Sequence, residues 1–163
     1  MKRIVVYKSK TGFTEKYAMW IAEELGCDAV AFDKMDLSTL QNYDQVIYGG
    51  WIMASVVSGY DKIKALQLKN VIVFGCGMSV PNEKLMETMA TQNDIPVEKF
   101  FYFEGGFNPQ KAGFIGRMII KMIVGSLKKK EEKTPEDLYM LETAAGKDNT
   151  NREAIKPLID ALE

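Results

Sequence analysis

The chain has 163 residues, with 21 Lys and Arg against 22 Asp and Glu, and its formal net charge is −1. That length suits one domain able to bury most of its apolar surface, and near-neutrality argues against nucleic acid as a partner. Histidine is absent and Cys27 and Cys76 are the only cysteines, with no C-x-x-C pair, so the commonest general base and metal ligand are missing and redox chemistry has to come from a bound organic cofactor.

The first strand, Arg3 to Tyr7, begins straight after Met1-Lys2 with no secretory h-region, so a reduced, cytoplasmic chain is expected. It runs into the hydroxyl-rich loop Ser9-Lys10-Thr11-Gly12-Phe13-Thr14. A helix follows to Leu25, with Tyr17, Ala18, Ile21 and Ala22 at helical spacing and Gly26 as its stop. Backbone N–H groups of that loop, the hydroxyls of Ser9, Thr11 and Thr14, and the positive end of the helix can converge on one dianionic group. Neither G-x-x-x-x-G-K-[ST] nor G-x-G-x-x-G follows the strand, which excludes the common nucleoside triphosphate and dinucleotide loops. Plain helix capping by Ser and Thr is the competing reading.

Further along, Cys27 to Phe32 reads as a strand, Ser38 to Leu40 as a helical turn, and Gln45 to Gly50 as a strand ending in two glycines. Tyr60 to Leu66 is helical. Asn70 to Phe74 is a buried strand, followed by a loop from Gly75 to Pro81 and a helix over Asn82 to Gln92. Phe100 to Phe103 is the last strand, closed by Gly105 and Gly106. Short apolar strands alternating with helices predict an α/β sandwich of three layers, a five-stranded parallel sheet covered on both faces, in the order 2-1-3-4-5. Ligands in such sheets bind outside the C-terminal strand ends where the order reverses, between strands one and three.

Residues 1–163 then form a single domain with an inserted helical segment at about 107–150, and Asn151 to Leu162 supplies the closing helix. In the insertion, Arg117, Lys121 and Lys128 run beside the apolar residues Ile115, Met118, Ile119, Met122 and Ile123. Such a helix can lie on an anionic membrane surface over 114–130, or pack against the body or a partner subunit. It is too short to span a bilayer.

The pattern Ser9-x-Thr11-Gly12-x-Thr14, between the first strand and first helix, resembles the FMN phosphate loop of flavodoxins. The resemblance implies FMN as cofactor, with the phosphate held by Ser9, Lys10, Thr11, Gly12, Phe13 and Thr14. Ring contacts are then expected from Gly50, Trp51, Ile52, Met53 and Ala54 after the third strand, and from Gly75, Cys76, Gly77 and Met78 after the fourth. Trp51 is the leading clamp for the ring. No aromatic residue stands between Gly75 and Pro81, so one ring face is open or covered by Phe107 or Phe114 of the insertion. Many flavodoxins are strongly acidic to suit basic partners, and this chain is not.

Together with Glu104-Gly105-Gly106-Phe107 and Arg117-Met118-Ile119-Ile120-Lys121-Met122, the loop is similar to the flavodoxin-like family that includes the bacterial menaquinone-dependent protoporphyrinogen dehydrogenases. That likeness implies a redox partner protein or a quinone, with a cytoplasmic location or a peripheral one at the inner membrane face. The alternatives left open are an electron carrier, a quinone-linked dehydrogenase, and a non-catalytic binding module on the same fold.

Overall fold

A computed structural model describes the whole chain, residues 1–163. β1 (Arg3–Lys8) is buried on both faces, because its apolar side chains alternate between two separate cores. Ile4 and Val6 point to one, Val5 and Tyr7 to the other. α1 (Phe13–Leu25) covers the second face with Tyr17, Ala18 and Ile21, all fully buried. β2 (Asp28–Ala31) and β3 (Gln45–Met53) flank β1 in parallel.

Beyond β3 a two-residue strand, β4 (Val56–Val57), folds back antiparallel on it. α2 (Tyr60–Ala65) leads to β5 (Val71–Gly77), and α3 (Glu83–Gln92) to β6 (Phe100–Glu104). The order is β2-β1-β3-β5-β6, all parallel, which is the expected topology once the β4 hairpin is set aside. Ile63 of α2 with Met89 and Ala90 of α3 close the first core.

Two strands are longer than their sequences suggest. The sequence ends these strands at Gly50 and Phe74, yet Gly75 pairs with Gly50 and Cys76 with Trp51 inside the sheet, and the glycines there do not open a loop. They serve packing. A Cβ on Gly49 would fall 1.9 Å from the Phe74 ring, one on Gly50 2.6 Å from the Ser58 carbonyl, and one on Gly75 2.5 Å from Ile52 Cδ1. Trp51 and Gly75 to Gly77 are therefore strand residues and not the loop residues expected.

The insertion holds two helices, α4 (Gly113–Lys128) and α5 (Pro135–Ala144). Its two ends meet at a neck. Phe107 N–H donates to the Lys147 carbonyl at 3.0 Å, and Asn149 N–H to the Gly105 carbonyl at 2.8 Å. α5 starts on a reciprocal cap between Thr134 and Asp137 with Pro135 in its first turn. The closing helix is shorter than expected: a tight turn over Arg152–Ile155 leads into α6 (Lys156–Asp160). Pro157 has no N–H to continue a helix from the preceding turn. Ile155, Leu158 and Leu162 still reach the second core.

Candidate functional site

At the C-terminal ends of β1, β3, β5 and β6 a cavity of about 410 Å³ opens toward α4. Its floor and walls carry Lys10, Thr11, Phe13 and Thr14 from the first loop, Trp51 to Ser55 from the β3–β4 hairpin, and Cys76 to Ser79 after β5. Of the residues expected at a cofactor site, Ser9, Gly12, Gly50 and Gly75 do not line it. Gly50 and Gly75 make room for neighbouring protein atoms instead. Ser9 Oγ accepts the Gly12 N–H at 3.1 Å and so braces the loop from within.

That bracing sets Gly12 at φ 98°, a left-handed conformation that other residues resist, and α1 begins directly after it with no side-chain cap. The first-turn N–H groups of α1 therefore have no side-chain acceptor, and the helix dipole adds positive potential at the same point. This is the donor set that an anion needs, and it fits a phosphate. Thr14 is buried beside the Cys76 thiol. Burial pushes that thiol up to about 12, with Thr14 opposing the shift, so Cys76 is a neutral wall residue. Lys16 is spent elsewhere, on Asp148 at 3.0 Å and Thr150 at 2.8 Å.

The hairpin carrying Trp51 is stiff. Ala54 and Ser55 turn it with φ of 48° and 65°, both left-handed without glycine, and Asn93 at the end of α3 clamps it from below. Lys10 Nζ lies 5.6 Å from the Trp51 ring centroid, a cation–π distance. Opposite, Tyr102 donates to the Ser79 carbonyl at 2.9 Å and fixes the chain after β5; burial raises its pKa.

Several wall residues escaped the sequence reading. Gly116, Ile119, Ile120 and Ile123 face the cavity from α4, with Ala112 just before that helix and Met140 of α5 beside them; Phe107, one of the two residues expected to cover the ring, lines it as well. Their spacing is helical, but α4 carries a second apolar stripe, Phe114, Ile115, Met118 and Met122, and the two merge into one broad face when read along the chain. The structure separates them. Phe114 is 75% exposed and does not cover the cavity, whereas Phe107 lines it. Lys10 is the only charged residue in the wall, and no carboxylate accompanies it.

Residues 4–134 match the flavodoxin domain family. The chain belongs to that family. Flavodoxin domains are flavin-dependent redox proteins, and the match runs from β1 through α4 to the residue before α5. Solved structures similar to this flavodoxin domain include an archaeal flavodoxin, 17% identical over all of both chains with a TM-score of 0.47. Another is Megasphaera elsdenii flavodoxin, 18% identical over 88% of this chain and 98% of that one, TM-score 0.45. A flavodoxin, WrbA-like protein of Agrobacterium tumefaciens is 16% identical over 89% and 96%, TM-score 0.47. These likenesses are loose, and the assignment rests on the sequence match alone. No curated protein matches the chain.

Proposed function

We propose that this flavodoxin domain binds FMN in the cavity at the strand ends and exchanges electrons with a small apolar acceptor of the quinone class. When bound, FMN supplies one- and two-electron redox chemistry. The chain holds its phosphate with the Thr11 hydroxyl and the uncapped first turn of α1, and borders the ring with Trp51, Met53 and the strand end at Cys76 to Met78. The observation that carries the reading is the α4 wall: Gly116, Ile119, Ile120 and Ile123 close an apolar space over the strand ends. A shuttle docking on protein partners needs an accessible ring edge with a charged rim. An apolar chamber suits a flat, uncharged molecule and keeps water from it.

The Lys10 ammonium, with no carboxylate beside it, favours added negative charge in the cavity and so a two-electron reduced cofactor. The test is an absorbance spectrum after FMN loading and removal of excess, then anaerobic reduction and mixing with a short-chain soluble quinone. Retained flavin bands with rapid reoxidation are expected. Retained flavin without reoxidation would make the protein an electron carrier, and no retained flavin would leave a binding module.

A location at a membrane surface has its own support. Phe114, Ile115 and Met122 of α4 are 75%, 65% and 69% exposed, and Arg117, Lys121 and Lys128 run beside them at helical spacing. No helix of the chain is long and apolar enough to cross a membrane. Anionic vesicles should sediment the protein and neutral ones should not, with Met118→Glu/Met122→Glu abolishing the effect.

A further inference from the structure

We infer that Lys111, delivered by the insertion, is a phosphate ligand of the bound flavin nucleotide, so that the insertion reads the phosphorylated end of the cofactor. The inference rests on the FMN reading above. A Cβ placed on Gly12 would lie 3.7 Å from Lys111 Nζ, so the ammonium stands directly over the loop that precedes α1. The two lysines nearest in sequence point elsewhere. Lys10 sits over Trp51, and Lys16 is paired with Asp148. Lys111 is in none of the ion pairs of the protein.

The backbone that presents it is anchored. Asn108 Oδ1 accepts the N–H groups of Gln110 and Lys111 at 3.1 and 3.3 Å, and the Asn108 carbonyl accepts that of Ala112 at 3.0 Å. Ala112 is 3% exposed and belongs to the cavity wall. With the backbone fixed, only the side-chain torsions of Lys111 remain to be ordered when it meets an anion beside Gly12. A phosphate monoester carries about −1.5 to −2 charges near neutral pH. The first turn of α1 supplies only partial positive charge, and Lys111 brings a full cation to the Gly12 side of the loop, away from Lys10 at Trp51.

The arrangement also orients α4, which begins one residue after Ala112 and forms the apolar wall. Phosphate engagement by Lys111 thereby holds the start of that wall against the loop. Riboflavin, lacking the phosphate, has nothing to offer the ammonium.

Fluorescence titrations of the full chain with FMN and with riboflavin, at low and high salt, test this on the unsubstituted protein, Lys111→Met and Lys111→Arg. Lys111→Met should weaken FMN about tenfold, the size of one charge-assisted contact at a partly exposed site. It should leave riboflavin unchanged and flatten the salt dependence, while Lys111→Arg keeps FMN affinity within about threefold. Equal FMN affinity in Lys111→Met and the unsubstituted protein would overturn the assignment while leaving FMN binding intact. Parallel losses for FMN and riboflavin would overturn it too, since they would mark a structural effect. An unsubstituted protein that binds no FMN would remove both readings.

Discussion

Tyr139 of α5 donates its phenolic hydrogen to the carboxylate of Glu104, the last residue of β6. This one bond ties the far helix of the insertion to the end of the sheet. Burial, and then the Glu104 carboxylate, raise the Tyr139 phenol from 10.0 to about 12. The protonated form is thus the one the fold prefers. Its stabilising contribution is complete below the unfolded value of 10.0 and is lost as pH climbs through about 12. Subtracting the tyrosinate absorbance titration of Tyr139→Phe from that of the unsubstituted protein should leave one group with a midpoint near 12. A difference curve centred at 10 would show that Tyr139 is not held by Glu104.

Thr11 lines the cavity beside the uncapped start of α1. Thr11→Val keeps the shape and removes the hydroxyl, so FMN binding should weaken by about 1–3 kcal/mol, the range for a hydrogen bond to a charged group. Calorimetric titration would detect it. Unchanged affinity would move the phosphate away from Thr11.

The sheet order was legible in the sequence because buried parallel strands are continuous apolar runs and their crossovers are helices. The first loop was legible because hydroxyls, glycine and a helix start coincide within residues 9–14. The ends of β3 and β5 were not. Gly49 and Gly50 look like a strand's end and Gly75 like a turn residue, and the reason for them is Phe74, Ser58 and Ile52 in neighbouring elements. The role of α4 was half visible: its apolar spacing identified a helix, but which stripe faced the cavity depends on how the insertion folds back over the sheet. Lys111 carried no local signal at all, since its meaning comes from Gly12, far away in the chain.

Trp51 and Lys10 should act on the cofactor together. Removing the ring in Trp51→Ala takes away both a flat apolar surface and the partner of the Lys10 ammonium, so the absorbance bands and midpoint potential of bound flavin should both shift, with the thermal midpoint of the apoprotein little changed. Lys10→Met removes the only charge in the cavity wall and should lower the potential, because a cation there favours the reduced, more negative state. A potential unchanged in both variants would place the ring elsewhere in the cavity.

Asn93 is the residue on which the Trp51 arm depends. Its side-chain oxygen accepts the Val57 N–H at 2.9 Å, and its amide donates to the Ser55 carbonyl at 2.8 Å. Both partners belong to the hairpin whose turn at Ala54 and Ser55 runs through left-handed φ without glycine, a conformation that persists only where surrounding contacts over-determine it. Asn93→Ala leaves those partly buried backbone groups unpaired and lets the turn relax, at a cost of about 1–3 kcal/mol. Denaturant unfolding should show that loss. Because Trp51 lies three residues before the turn, its fluorescence anisotropy should fall in the same variant, separated from that of Trp20 by a Trp20→Phe background. If stability drops while Trp51 stays rigid, β3 pairing with β5 up to Trp51↔Cys76 holds the indole, and Asn93 serves only the turn beyond it.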